Sequence, residues 1–502
     1  MKKKIFVFVN LITFILLSCA EKPFTGIKFS GEQLVDINGT TEISAIYVLN
    51  GAEIPTEKIL LSVDNDTTGG AVFEYGNNSV SVTVGSNKDG AVKITGSART
   101  VTNSIWVCTK PAKTINASDR PNGFASINAS DNFGGYNPET PEKVVTVSTK
   151  KDLKNYAETG GYVIYVQGMI DMSEGMLPST TGGTTDALDK FVKTHSNGEF
   201  TNYPDFRYAY SSNCNASTND TSSSSAKSKY GTLLWVLNYE YKRVIQLNVK
   251  SNTTIIGEDE NAGIKGCAIS ISAVNNVAIR NLTLQDGFDP FPHHETNDGF
   301  NAQHDLIGIQ NDKTSNIWID HCTLEDTMGL ITSGNGEKWQ TYDGLLDIKS
   351  NCKNITVSYC IFKNHDKTML IGSSDSDGDN KTRTITLHHN HYYNCGQRLP
   401  MARNVSLHLY NNFYSAPSSR YSQLSAVDVR KGSLIIAENN KFGSGISLDF
   451  KSMIGQLVFK KDSSTAGNKL FAIDYPYVSE SQSKVEASVL ANAGSGKMTV
   501  IK

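Results

Sequence analysis

A weak repeat through the second half of the chain restricts the fold more than any other feature. Leu282, Cys322, Cys360, Asn390, Asn412 and Asn440 align as equivalent positions. Two residues after each stands an apolar or aromatic side chain: Leu284, Leu324, Phe362, Tyr392, Tyr414 and Phe442. Five before stand Val277, Ile317, Ile355, Ile385, Leu407 and Ile435; three before stand Ile279, Ile319, Val357, Leu387, Leu409 and Ala437. Inward residues two apart mark one face of a strand, and the next inward residue follows a corner. The repeat intervals are 40, 38, 30, 22 and 28 residues. A fixed minimum with variable excess suits a solenoid whose coils carry loops of different length. This predicts a parallel β-helix with equivalent side chains stacked about 4.8 Å apart. Asn390, Asn412 and Asn440 should bond along one column, and Tyr392 and Tyr414 should be core.

The same phasing gathers charge. Asp305 and Asp343 each lie 17 residues before the next aligned position, Asp347 lies 13 before and Arg398 14 before. Lys367 lies 23 before Asn390, in a coil lengthened by the polar loop "SSDSDGDNK". Removing that excess returns Lys367 to the same strip. Stacked carboxylates one strand spacing apart repel unless they share a cation. All-oxygen donors on loose turns suit Ca²⁺ better than zinc or copper. The chain as a whole is slightly acidic, with Lys+Arg 47 against Asp+Glu 50. It therefore has no general attraction for nucleic acid or any polyanion, and an anionic substrate needs locally fixed cations. "CGQRLPMAR" supplies two, Arg398 and Arg403. Calcium followed by fixed cations fits a polyuronate such as polygalacturonate. Neutralising a uronate carboxylate acidifies the C5 proton, which a base removes as the C4 oxygen leaves. Arg398 would face the reacting sugar, and Arg403 would clamp a carboxylate in bidentate fashion.

The stretches "YVIYVQG", "SNTTIIG", "NIWIDHCT", "DGLLDIK", "HDKTMLIGSSDSD" and "QRLPMAR" occur in one order. Residues from about 123 to 414 thereby resemble the pectate lyases of the first polysaccharide lyase family. The resemblance implies that Asp305, Asp343 and Asp347 are calcium ligands and that Lys367 grips a substrate carboxylate. It implies that Arg398 is the Brønsted base and Arg403 a second substrate-binding arginine. The family usually has an acidic residue two before Asp305; here Gln303 offers a carbonyl oxygen without the charge. An arginine base needs neighbouring cations to disfavour its charged form, and Lys367 is the alternative base.

The expected fold is all-β: a right-handed parallel β-helix over 118–502, preceded by a small Ig-like β-sandwich over 27–112. "VSVTV", "AVKIT" and "IWVCT" give the sandwich its alternating strands. It would be a spacer or a carbohydrate-binding module. A polar insertion at about 171–249 contains the low-complexity run "SSNCNASTNDTSSSSAKSK", read as a surface loop, and "TTDALDKFVK", read as one short helix. Residues 1–18 read as a lipoprotein signal peptide, with Lys2, Lys3 and Lys4 before an apolar stretch. "LLSC" makes Cys19 the lipidation site, with a linker over 19–26 and an extracytoplasmic location at the outer membrane or cell surface. Seven further cysteines form no disulfide framework and no zinc pattern.

Other residues have plainer readings. Trp318 should pack on the outer face, and His321 should be hydrogen-bonded near a corner. His293 and His294 should lie in a solvated loop. Asp375, Asp377 and Asp379 should form a surface turn. The expected activity is calcium-dependent β-elimination on polygalacturonate by a monomer. A pectin lyase would not need the aspartate trio. A polygalacturonase would need paired aspartates around a water. A β-helical adhesin would not need Asp, Lys and Arg on one strip.

Overall fold

The computed structural model describes residues 24–502 apart from 216, 219–226, 297, 334–335, 418–420, 422–425, 447, 449–454 and 461–469. Cys19 and the signal segment lie outside the described residues. Three parallel sheets wind around one apolar core. The first has ten strands, from Val144–Val147 to Gln456–Lys460; the second has eight, from Met169–Asp171 to Lys441–Phe442; the third has seven, from Gln246–Asn248 to Asp428–Val429. Each coil visits the sheets in that order, which makes the architecture a parallel β-helix.

The repeat positions fall into register as the sequence predicts. Val277, Ile317, Ile355, Ile385, Leu407 and Ile435 are paired neighbours along the first sheet. Leu284, Leu324, Phe362, Tyr392, Tyr414 and Phe442 are neighbours along the second. The last four are rings: Tyr392 and Tyr414 stack at 4.7 Å between centroids, 7° from parallel. Both are buried in the solenoid core. Asn390 Nδ2 donates to Asn412 Oδ1 at 3.0 Å, and Asn412 Nδ2 donates to Asn440 Oδ1 at 2.9 Å. These amides are buried, so each lost partner would cost about 1–3 kcal/mol. The corner residue before each aligned position adopts left-handed backbone, with φ of 54° at Asn281, 50° at His321, 49° at Tyr359 and 51° at Asn411. Asparagine tolerates that region best. Tyrosine and histidine are held there by stacking, His321 on Tyr359 at 4.8 Å and Tyr359 on His389 at 4.7 Å.

Residues Gly26–Ser30 to Val101–Thr109 form two further sheets, largely antiparallel, of five and four strands. Val80, Val82 and Val84 sit in the core between them with Ile43, Ile94 and Val107. The alternation in "VSVTV" puts these valines on one face.

Two expectations are corrected. The chain is mostly β rather than all-β, because the insertion holds three helices where the sequence predicts one, at "TTDALDKFVK". They are Asp186–His195, Tyr203–Asn213 and Gly231–Ile245. Tyr203, Phe206 and Tyr210 on the second, and Leu234, Leu237 and Tyr241 on the third, bury against Phe291, Phe300 and Trp339. Their three-and-four spacing is helical, but the intervening polar residues obscured it. Part of the low-complexity run, residues 219–226, lies outside the described residues. His293 and His294 are not in a solvated loop: both are buried on the strand His293–Glu295, which pairs antiparallel with Gly299–Asn301. Among the described residues, no helix is long and apolar enough to cross a membrane.

Candidate active site

The third sheet is built from strands of two to five residues, with the chemistry at the leading ends of four of them. Asp305 precedes Ile307–Gln310, Asp343 precedes Leu346–Ile348, Lys367 precedes Leu370–Ile371 and Arg398 precedes Met401–Ala402. These strands are consecutive neighbours in the sheet. Lys367 and Gln397 form a parallel bridge, which places Arg398 one residue further along the next coil. Leu346 and Ile348 point into the core, so Asp347 between them points outward. Its side chain is nevertheless only 1% exposed.

The carboxylates are held close. Gly344 N–H donates to Asp305 Oδ1 at 3.2 Å, and Leu370 N–H donates to Asp347 Oδ1 at 2.9 Å. Among the described residues, Asp347 Oδ2 accepts no hydrogen bond and faces the Lys349 ammonium at 3.3 Å. Burial, and then the charge of Asp305, raise both other carboxyls: Asp343 is pushed up to about 6 and Asp347 well above the ordinary range. Lys367, Lys349 and Arg398 pull Asp343 the other way without winning. Three acids compressed in this way favour a shared cation.

One such cation belongs to the protein, and the sequence reading did not single it out. Lys349 Nζ lies 2.8 Å from Asp305 Oδ2 and 3.3 Å from Asp347 Oδ2. Burial works against its charge, but Asp305 and Asp347 raise its pKa above the ordinary lysine value. Its signal was present: Lys349 follows Asp347 by two, so the two share a strand face.

Lys367 is 6% exposed and donates to Asn301 Oδ1, with Asp298 Oδ2 at 3.8 Å and Asp343 Oδ1 at 4.0 Å. Asn301 and Asp298 come from the hairpin that the insertion covers, and nothing in the repeat could have indicated them. Arg398 has φ of 59°, a left-handed conformation that costs a long side chain about 1 kcal/mol or more. The peptide that follows, Leu399–Pro400, is cis. Arg403 faces the same strip, with Nε 3.2 Å from Asp375 Oδ1 and Nη1 donating to Gly372 O at 3.2 Å. The Asp375 side chain is 59% exposed, so this ion pair is weak and Arg403 can exchange it for another carboxylate. Gln303 is exposed. It donates to Asn301 O at 3.1 Å and approaches Glu295 Oε1 at 3.5 Å, rather than contacting the aspartates.

Asp305, Asp343 and Asp347 fit a hard cation by donor type and by surplus charge. A buried carboxylate oxygen that accepts no hydrogen bond among the described residues, and is met by the Lys349 ammonium at 3.3 Å, is a feature a bound ion would satisfy. Among the described residues no group of three or more His, Cys, Asp or Glu is already arranged as a chelate. Lys349 occupies the space between Asp305 and Asp347 and would have to swing aside.

The remaining motif residues are structural. Trp318 is on the outer face but buried there, edge-on to Phe133 at 6.4 Å and under the Arg280 guanidinium at 4.0 Å. Asp377 accepts from Ser373 N–H, Ser350 N–H and Arg383, which makes its loop a fastened turn. The described cysteines are free, six of the seven of them buried.

A family model described as Pectate lyase matches residues 236–494. Pectate lyase E of Dickeya chrysanthemi is 34% identical over 285 residues, covering 50% of this chain and 73% of its own. Pectate lyase of Bacillus subtilis (strain 168) is 32% identical over 354 residues, covering 65% of this chain and 77% of its own. A solved pectate lyase bound to a hexasaccharide superposes with a TM-score of 0.54 at 26% identity, over 76% of this chain and 98% of that one. A pectate lyase from Acidovorax avenae subsp citrulli shares the fold, with a TM-score of 0.62 at 22% identity, over 78% of this chain and 97% of that one.

Proposed function

Because this chain belongs to the pectate lyase family and is a polysaccharide lyase, we propose that it cleaves de-esterified α-1,4-polygalacturonate by calcium-dependent β-elimination. The single observation that favours this reading is the juxtaposition on consecutive coils of three crowded carboxylates, one of them fully buried, with Lys367, Arg398 and Arg403. Asp305, Asp343 and Asp347 would hold the calcium ion, with Gln303 as a neutral neighbour. When bound, that ion would supply positive charge beside a substrate carboxylate. Lys367, freed from Asn301, grips the same carboxylate through its ammonium. Arg403 exchanges Asp375 for the carboxylate of an adjoining sugar and fixes the chain's register. Arg398, held near the reacting ring, takes the C5 proton. The electron pair left behind forms the C4–C5 double bond, and the C4 oxygen departs with its sugar. The products are unsaturated oligogalacturonides.

The test is incubation with polygalacturonate, with and without a calcium chelator, followed by ultraviolet absorbance of the new double bond. Calcium-dependent absorbance is expected, with an alkaline optimum because the base acts deprotonated. Reducing ends without absorbance would mean hydrolysis and overturn the reading. At the other end of the chain, the sequence supports a lipid on Cys19 that tethers the enzyme outside the cytoplasm. The two-sheet unit over 27–112, Ig-like in its strand pattern, would serve as the spacer. Cys19→Ala should move the protein from the membrane to the soluble extracytoplasmic fraction.

A further inference from the structure

We propose that His365, held by Asp326, is a positioning residue for the carboxylate cluster. It fixes the peptide between Asp343 and Gly344, and that peptide sets where Asp305 and Asp343 point. His365 and Asp326 are both buried, at 2% and 1% exposure. His365 Nδ1 lies 2.6 Å from Asp326 Oδ2, and Nε2 lies 2.6 Å from the carbonyl oxygen of Asp343. A carbonyl only accepts, so Nε2 carries the proton. The other end of the same peptide, Gly344 N–H, donates to Asp305 Oδ1. One continuous chain therefore runs from the Asp326 carboxylate through the imidazole and the peptide plane to Asp305. Hydrogen bonds in such a chain polarise one another: the N–H on the carbonyl makes the amide a stronger donor.

Among the described residues, the groups flanking this peptide are tied elsewhere, and the next carbonyl, Gly344 O, accepts from Leu306 N–H at 2.9 Å. On one side the Tyr342 hydroxyl is tied to Asp286 at 2.7 Å. On the other side the amides of Leu345 and Leu346 donate to Thr368 O at 3.2 and 3.1 Å. Gly344 itself is a close approach: a Cβ there would stand 2.3 Å from Asp347 Oδ1 and 3.0 Å from Asp305 Oδ1. The carboxylates close down on a bare peptide whose orientation His365 sets from behind. Outer hydrogen bonds to metal-binding groups are worth about 10–100-fold in metal affinity or activity.

This inference rests on the reading of Asp305, Asp343 and Asp347 as calcium ligands. Its test is calorimetric titration of the full chain with calcium chloride at one fixed pH. His365→Ala should weaken calcium binding about 10–100-fold, with kcat restored when calcium is saturating. His365→Gln, which can return a donor to the Asp343 carbonyl, should recover most of that loss. Tyr475→Phe, which removes a buried hydrogen bond to His408 on the first sheet, is the control. It should lower thermal stability and leave the calcium Kd unchanged. If His365→Ala does not fold, Asp326→Asn replaces it and should weaken binding in the same direction. A stable variant that binds calcium with wild-type affinity overturns the positioning role alone. A wild-type protein that takes up no calcium overturns the metal reading and this inference with it.

Discussion

Two buried charge clusters lie on different faces of the solenoid, and they are resolved in opposite ways. Outside the first sheet, Arg280 bridges Asp119 at 3.0 Å and Asp320 at 3.1 Å, and Lys88 closes on Asp119. Asp320 also accepts from the Ser358 hydroxyl at 2.7 Å, which in turn accepts from Trp318 Nε1 at 3.0 Å. Burial opposes its charge, but His321, Arg280 and Ser358 hold its carboxyl well below the ordinary range. Asp89, at the edge of this cluster, is the member pushed upward, by burial and by Asp119. On the third sheet, Asp347 is equally withdrawn from water and Asp343 is half-buried, yet both are pushed up. Asp320 and Asp347, one residue type under similar burial, end in opposite states because one cluster closes its own charges and the other does not. The difference teaches where to look: a completed network fastens the segment around Asp119 to the coils, and an incomplete one is where a ligand has something to complete.

The comparison breaks most visibly if the roles are exchanged by mutation. Arg398→Ala should reduce turnover on polygalacturonate by about 10³-fold, worth about 4 kcal/mol of barrier. Its circular dichroism and unfolding midpoint should stay as in the wild type. Retention of most turnover would place the base elsewhere, with Lys367 the next candidate. Arg280→Ala should do the reverse. It leaves Asp119 and Asp320 buried without their partner and should cost about 3 kcal/mol of stability in a denaturant titration. Turnover per folded molecule should hold. A stable but inactive Arg280→Ala protein would join the two clusters functionally and void the contrast.

Asp347→Asn sharpens the contrast at the next level down. Calcium at 100 times its Kd should stabilise the wild-type protein by about 2.7 kcal/mol. The variant should lose most of that gain, measured as the calcium-induced shift in unfolding free energy. In the metal-free state the same substitution removes a buried like charge and should leave the protein no less stable than the wild type. An unchanged calcium shift would remove Asp347 from the binding group.

The solenoid was legible in the sequence because its core positions recur in a fixed phase, from Val277 to Ile435 and from Leu284 to Phe442. Loop insertions alter the interval but not the order of inward residues, so the alignment survives them. The aspartates, Lys367 and Arg398 were legible for the same reason, since they ride on that phase. Lys349, His365 and Asp326 were not singled out. The first looks like an ordinary strand-end lysine until Asp305 arrives from the preceding coil. The other two act through a backbone carbonyl, and side-chain patterns do not report backbone partners. Asn301 and Asp298 were invisible because their hairpin is placed by tertiary packing. Its cover is the aromatic helices of the insertion, which the polar composition of that segment disguised.

The finest difference between the clusters is in pH dependence, and its sign can be worked out. Asp343 has a folded-state pKa raised from 3.8 to about 6. Its charged form is disfavoured by folding, so metal-free stability should fall as pH rises from about 4 through about 6, by an amount on the order of 1 kcal/mol. Asp320 has a depressed folded-state pKa, so its contribution is already complete above its unfolded value and is lost only as pH falls below about 4. Between about pH 5 and pH 8 the Asp320 contribution is therefore flat, and the Asp343 contribution still falls across the lower part of that range. Denaturant unfolding in the presence of a chelator at those two pH values should show the decline in the wild type, and a smaller one in Asp343→Asn. Calcium should reverse the trend, because binding requires Asp343 to lose its proton and so tightens as pH rises through about 6. Equal pH slopes for wild type and Asp343→Asn, in chelator and in calcium alike, would mean that the third-sheet acids are as well neutralised as those around Arg280.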